Sequence, residues 1–474
     1  MNRRLTALAL LGATILSGCE MAPPDRPTLV ATPIAFKEAE GWSRAAPAAE
    51  APRGAWWTVF GSAELNGLEE RLGADNQSLK AAAARYDQAR ALARQASANL
   101  YPTLDAGARS TNNQLSKDVA DPLPRTRYQD NRVELDLNYE IDVWGRVRDL
   151  ARAGKDRAQA SADDLAAMAL SLQAELASDY FLLRGYDAQA AVLDDTVKAY
   201  AKALDLTQAR FKAGYAAEPD VSAAEASLEL ARTGAAEARL NRGKLEHAIA
   251  ILTGAPPAGF ALATQPLDAA PPAVADVLPG ALLQRRPDVA AAQRRVAATN
   301  AEIGAARAAY YPDFSLAAVL GSEATSAGRL FTAPASAWAV GPSGLLNLFD
   351  GGKRRALNAQ AEAAFNEQAA TYRQTVLGAY GEVEDSLTSL AFLAQETTTQ
   401  AAAVKAASTA RAQAERRYTS GYAAYYEVIT AQNIELSARL QETQIQARRM
   451  VASVALVRSL GGGWTDPVRV ASAG

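Results

Sequence analysis

One cysteine and one histidine, Cys19 and His247, are all that this chain of 474 residues offers for thiolate or imidazole chemistry. They sit more than two hundred positions apart. One cysteine rules out an intrachain disulfide, and one histidine cannot build a His-based metal cluster. Gly351-Gly352-Lys353 lacks the first glycine and the hydroxyl residue of a phosphate loop. His247 reads as a helix-surface or packing residue. The residues point away from an enzyme, and no cofactor is expected. What remains is the electrostatics of carboxylates and arginines, in two places. One is the run Asn131–Arg148, NRVELDLNYEIDVWGRVR; the other surrounds two glycines, Gly214 and Gly421.

Cys19 ends Leu16-Ser17-Gly18-Cys19, after Arg3, Arg4 and an apolar stretch Leu5–Leu16. That stretch is too short to cross a membrane and reads as a secretory signal, residues 1–18. It resembles a bacterial lipoprotein signal, whose cysteine is lipidated and becomes the mature N-terminus. With Glu20 next, the same resemblance implies sorting to the outer membrane. Removing residues 1–18 takes away two arginines, so the formal net charge falls from −3 to −5. No nucleic-acid partner is expected of so acidic a chain. No later run of 18 or more uncharged apolar residues occurs, so no transmembrane helix is expected.

The elements that must position the charged residues follow from periodicity. In Asn131–Arg148, Val133, Leu135, Leu137, Tyr139 and Ile141 alternate with Arg132, Glu134, Asp136, Asn138, Glu140 and Asp142. Side chains alternate across a strand, so one face is apolar and the other polar and mostly acidic. The length suits a tilted membrane strand of ~9–11 residues. The apolar five would face lipid, and the acidic face suggests a mildly cation-favouring lumen. Thr103–Asn112, before a loop rich in Asn and Pro, supplies the partner strand.

Residues 19–55, rich in Pro and Ala, read as a tether behind the lipid. Ser62–Asn99 carries a helical pattern. Ala151–Lys212 has no proline and steps apolar residues by three and four, a coiled-coil-like seam. Some 60 helical residues span roughly 90 Å. Gly214 stops this helix, Glu218–Thr253 returns, and residues 255–280 form a Pro/Ala linker. The pattern then recurs: a helix Asp288–Tyr310, strands Asp313–Ser322 and Ala337–Phe349, a helix Lys353–Thr419, a break at Gly421, a return to Leu460, and a tail from 462 to 474. Tyr101-Pro102 reappears 210 residues on as Tyr311-Pro312, and Gly214-Tyr215-Ala216-Ala217 reappears 207 residues on as Gly421-Tyr422-Ala423-Ala424. The chain is therefore a duplicated half-molecule. The first repeat is 56–254 with a hairpin near 103–144; the second is 281–461 with a hairpin near 313–349.

Each repeat supplies one hairpin, so the chain has four membrane strands. Lipid tolerates no open sheet edge, and closed bacterial barrels start at about eight strands. Four cannot close alone, whereas three copies supply twelve. A lipid-anchored periplasmic coiled-coil scaffold or adaptor would explain Cys19 and the long helices, but not two hairpins at matching positions.

These residues resemble the outer-membrane factor family, the TolC- and OprM-like export channels, in its NodT-type lipoprotein branch. The resemblance rests on Trp56-Trp57-Thr58-Val59-Phe60, YEIDVWGRVR at Tyr139–Arg148, RRPDV at Arg285–Val289 and EIGAARAAYYPDFSL at Glu302–Leu316. WAVGPS at Trp338–Ser343 and LFDGGKRR at Leu348–Arg355 complete it. It implies a mainly α fold with membrane β: a homotrimer forming a 12-stranded outer-membrane β-barrel on a periplasmic α-barrel. It also implies passive exit of substrates brought by an inner-membrane RND-type pump through a periplasmic adaptor (membrane fusion protein). By the same resemblance, Tyr418 and Glu427, with Tyr425 and Tyr426 beside them, fall at the periplasmic gate. Gly214 and Gly421 match turn glycines that adaptors contact. Thr430 stands where many relatives have a second Asp, so a two-ring acidic filter is not expected.

Overall fold

A computed structural model describes residues 21–24, 37, 54–116, 118, 127–267, 271 and 286–462. Cys19 and the signal segment lie outside these, as do most of the tether, the greater part of residues 268–285 and the tail beyond 462. Among the described residues, seven α-helices and four strands follow in the order α1 (Ala63–Asp75), α2 (Gln77–Ala98), β1 (Thr103–Gln114), β2 (Arg127–Ile141), α3 (Arg146–Lys212), α4 (Glu218–Leu252), α5 (Pro287–Ala308), β3 (Asp313–Ala324), β4 (Ser336–Leu345), α6 (Lys353–Thr419) and α7 (Tyr425–Ser459). None of these helices is apolar enough over its length to cross a membrane. The duplication is explicit in the lengths. α3 and α6 have 67 residues each, α4 and α7 have 35, α2 and α5 have 22, and β1 and β3 have 12. The offset between copies drops from 210 at β1/β3 to 207 at α3/α6, so the second hairpin and its exit are three residues shorter.

One departure from the sequence reading is the break between α1 and α2, where a single helix Ser62–Asn99 is expected. Asn76 is extended, with ψ near 123°. Its side chain caps the new helix by accepting from the Leu79 N–H at 2.9 Å and donates to the Leu252 carbonyl at 2.8 Å. A buried carbonyl and a partly buried N–H gain partners that way, which outweighs continuing the helix. The same joint needs Gly254: its φ is +73°, and a Cβ there would meet the Asp75 carbonyl oxygen at 2.6 Å.

The chain forms two compact units. The first comprises residues 1–29, 85–162 and 291–373 and contains the sheet, an antiparallel meander in the order β1-β2-β3-β4. Directly opposed residues share a face, so the register sorts the side chains. Leu104 opposes Leu137, which opposes Ala318, which opposes Val340; likewise Ala106, Leu135, Leu320 and Trp338 form a row. Val133, Leu135, Leu137, Tyr139 and Ile141 all fall on this apolar face. The other face carries Asp105, Glu134, Asp136 and Glu323, with Arg132 joined to Glu323 at 3.1 Å. Strand-to-helix corners explain two motifs. After Gly145 (φ +80°), the Asp142 carboxylate accepts from the Arg148 N–H at 2.9 Å; before α6, the Asp350 carboxylate accepts from the Arg354 N–H at 3.1 Å. Both acids sit at helix starts, where the dipole favours them. Nearby, Trp144 stacks on Tyr311 at 4.7 Å and donates to the Pro312 carbonyl, whereas Tyr101 and Phe349 are exposed.

The second unit comprises residues 30–84, 163–290 and 374–474. Its core gathers Trp56, Phe60, Leu65, Leu72, Leu176, Phe181, Ile249, Met450 and Val454. Arg286 of the RRPDV motif ties the start of α5 to α6 and to the end of α7, pairing with Asp288 and Glu382 and donating to the Ser459 carbonyl at 3.1 Å. Glu69 is the anomaly. It is buried among α1's leucines, neither carboxyl oxygen has a hydrogen-bond partner, and burial pushes its pKa up to about 9.

An acid whose folded pKa lies above its unfolded value takes up a proton on folding. Stability is therefore lost as pH rises from about 4.5 toward about 9. At pH 7 the cost is about 3 kcal/mol, at ~1.4 kcal/mol per pH unit. Glu69→Leu is expected to stabilise the protein at pH 7–8, with little gain at pH 4. Urea unfolding of the detergent-solubilised chain at several pH values checks this; a gain independent of pH would contradict it.

Candidate functional site

The two glycine turns are built alike and lie in the second unit. Gly214 has φ +78° and Gly421 +77°. The Tyr215 N–H donates to the Arg210 carbonyl at 2.8 Å and the Tyr422 N–H to the Arg417 carbonyl at 2.8 Å. These are the helix-ending bonds that a left-handed glycine permits. Beyond them Asp220 accepts from the Ala217 N–H at the start of α4. At the equivalent position of α7, Glu427 instead pairs with Arg417 at 3.1 Å.

The four gate candidates separate into two pairs. Tyr418 and Tyr425 turn inward: both are buried, and their rings meet at 5.2 Å in a cluster with Ala224, Ala414 and Val428. Burial pushes the Tyr425 phenol up, partly offset by the Thr207 hydroxyl. Tyr426 and Glu427 turn outward, Tyr426 being 74% exposed. Thr430 donates its hydroxyl to the Tyr426 carbonyl, so its own helix uses it. Tyr215 and Tyr422 are exposed beside their glycines.

Arg210 is the residue whose role the sequence leaves unread. Its guanidinium lies 4.4 Å from the Tyr418 ring centroid and donates to the carbonyls of Tyr418 and Thr419 at 3.1 and 3.2 Å. A cation from the end of α3 thus neutralises the carbonyl end of α6 and covers an aromatic face. The only signal is a basic last turn, which many helices share. Above it, Arg411 bridges Glu415 and the buried Glu435, and Arg439 pairs with Glu435 at 2.6 Å. These charges line an open cavity of about 300 Å³ with Asp195 and Tyr200.

The sheet is the second element with functional consequence. Leu104, Leu320, Trp338 and Val340 are each at least 60% exposed on one face, an apolar surface far beyond scattered surface leucines. Among the described residues, β1 and β4 are both unpaired along their outer edges. The lipid-facing candidates Leu135 and Ile141 are exposed on this face; Val133, Leu137 and Tyr139 are half-buried.

The family model described as outer membrane efflux protein matches residues 69–255 and 278–462. Outer membrane protein OprJ of Pseudomonas aeruginosa is 31% identical over 469 residues, 97% of this chain and 96% of that one. The pyoverdine export outer membrane protein OpmQ of the same species is 29% identical, covering 96% and 97%. Among solved structures, the outer-membrane channel OprN superposes with a TM-score of 0.87 at 29% identity, covering 94% of this chain and all of that one. The open state of the Neisseria gonorrhoeae MtrE outer membrane channel gives 0.82 at 25%, covering 94% and 98%. Two long-helix repeats, a sheet with one apolar face and two open edges, and matches along nearly the whole length agree: this chain belongs to the outer membrane efflux protein family, and it is an outer-membrane efflux channel.

Proposed function

We propose that three copies of the chain, each lipidated at Cys19, close a 12-stranded β-barrel in the outer membrane above an α-helical barrel in the periplasm. Together they form a passive exit duct for substrates handed over by an inner-membrane RND-type pump. One observation carries this reading: a four-stranded sheet with an apolar face and two unpaired edges cannot sit in lipid alone. Val133, Leu135, Leu137, Tyr139 and Ile141 then contact lipid. The acidic face with Asp105, Glu134 and Asp136 lines the lumen and favours cations.

The glycine turns form the periplasmic tip. Gly214 and Gly421, with Tyr215 and Tyr422 exposed beside them, are the surface that a periplasmic adaptor meets. Glu427, repeated three times around one axis, supplies an acidic ring, and the Arg417 pair holds it back from the pore while the tip rests. Tyr418, Tyr425 and Arg210 are the packed hinge behind it; Tyr426 faces outward beside the ring. The domain plan is the one read from the sequence, with a tether at 19–55, repeats at 56–254 and 281–461, and a linker at 255–280.

The test is an unboiled gel followed by bilayer recording. The purified chain is expected to migrate as an SDS-resistant trimer and to form cation-preferring channels whose opening the adaptor increases. A stable monomer that stays in solution without detergent would end this reading.

A further inference from the structure

Phe331 is the one non-glycine among the described residues with a left-handed backbone, φ +63°. Such strain in a bulky residue usually accompanies a constraint. The constraint is visible: the Phe331 N–H donates at 3.1 Å to the hydroxyl of Ser322, a residue 6% exposed. Ser322 opposes Val133 in the ladder and shares the apolar face, so this bond draws the β3–β4 connection back over that face. Yet the ring itself is 79% exposed. The backbone strain is not repaid by burial within the chain.

Between the connection and the sheet runs a groove of about 470 Å³, lined chiefly by Ala106, Val133, Leu135, Leu320 and Phe331. It continues the apolar face without a break, since Trp338 opposes Leu320 and is itself 74% exposed. From Phe314 to Ser322 the strand runs about 26 Å at ~3.3 Å per residue, which is about 20 Å along the membrane normal at the ~35–45° tilt of a barrel. The apolar band of a membrane barrel is ~25 Å tall. The groove therefore lies in the outer part of the band, away from the helices. Arg329, two residues before Phe331, is exposed beside it and offers a cation to an anionic headgroup. A second copy of the chain would pair edge to edge on β1 and β4, whereas the groove opens on the apolar face of the sheet, across all four strands from Ala106 to Ser336.

We propose that this groove holds one acyl chain of an outer-leaflet lipid, with Phe331 clamped over it by Ser322. The inference rests on the membrane-barrel reading above. The test uses the full-length channel in nanodiscs of phosphatidylcholine and phosphatidylglycerol doped with 5-doxyl phosphatidylcholine. Phe331→Cys, Val340→Cys and Ala337→Cys carry an environment-sensitive fluorophore, and the parent chain controls for label on Cys19. Position 340 lies on the apolar face and 337 on the opposite one. Expected is quenching by the doxyl lipid at 331 and 340 several-fold stronger than at 337, with the 331 signal at least halved when Ser322→Ala is added. Quenching at 340 but not at 331 would overturn the groove and leave the barrel standing. No quenching at either would overturn the barrel as well. A label at 331 shielded from both doxyl lipid and aqueous iodide would mean protein covers it. An unchanged signal in the Ser322→Ala background would overturn the clamp.

Discussion

Gly421→Val is expected to reduce export to the level of a strain lacking the channel while leaving the amount of assembled protein unchanged. The two halves of this expectation have separate physical grounds. At φ +77° a β-branched residue is strongly disfavoured, and left-handed backbone costs roughly 1–2 kcal/mol even for ordinary residues. The turn must then change shape, and the Tyr422 N–H loses the Arg417 carbonyl. Nothing lies within 4 Å of a Cβ built at Gly421. No packing is disturbed, so the fold survives. Gly254 provides the contrast. Its φ is similar, but a Cβ there runs into the Asp75 carbonyl at 2.6 Å, so Gly254→Val should lower the yield of folded protein. The open space at Gly421 is room for a partner, and the adaptor is the proposed partner. Drug susceptibility and blotting in a channel-deletion strain measure both halves. Full resistance with Gly421→Val would discard docking at this turn, and lost protein would shift the cause to folding.

Much of this architecture is legible in the sequence because the signals are long or repeated. Alternation from Val133 to Ile141 survives any single exception, and β2 indeed puts those five residues on one face. The Gly214 and Gly421 turns repeat a four-residue phrase, and both glycines take the same φ. What stays unread depends on single residues whose partners are far along the chain. Asn76 looks like one more polar residue in an Ala-rich helix until its buried partner, Leu252, is in place 176 residues later. Arg210 reaches carbonyls 208 and 209 residues away. Tyr418 and Tyr425 enter as gate residues by resemblance, and the sequence does not show that their rings meet across the turn. Which side of a helix faces its neighbours is decided by packing, and here both rings pack with Ala224, Ala414 and Val428. Glu69 is missed for the opposite reason: it stands on the same helix face as Leu65, Leu68 and Leu72, and an acid there reads as an exception rather than as a group buried without a partner.

Arg184→Met should be the most damaging single substitution away from the membrane, at about 3–5 kcal/mol, the usual loss when one partner leaves a buried ionic network. Arg184 is 2% exposed at its side chain and pairs with Glu64 and, at 2.7 Å, with Asp187, itself 1% exposed. It also donates to the Ala263 carbonyl at 2.6 Å and lies 5.0 Å from the Tyr180 ring centroid. Arg242 completes the network, reaching Asp187 at 2.6 Å, Glu246 at 3.1 Å and the Leu262 carbonyl at 2.6 Å. Two guanidinium forks thus hold the stretch after α4 against α3 and α4. Removing Arg184 leaves a buried carboxylate with one cation where it had two, and a carbonyl without a donor. Arg184→Lys keeps the charge but not the fork geometry, so it should recover only part of the loss. Replacing Asp187 by Leu in the Arg184→Met background also takes the anion from Arg242 and the acceptor from the Gln265 N–H, so it should lower stability below that of the single variant. Urea unfolding of the three variants at neutral pH separates these outcomes, and proteolysis between residues 260 and 267 should speed up with Arg184→Met. A loss below about 1 kcal/mol, the size expected of an exposed pair, would mean that water already reaches this network.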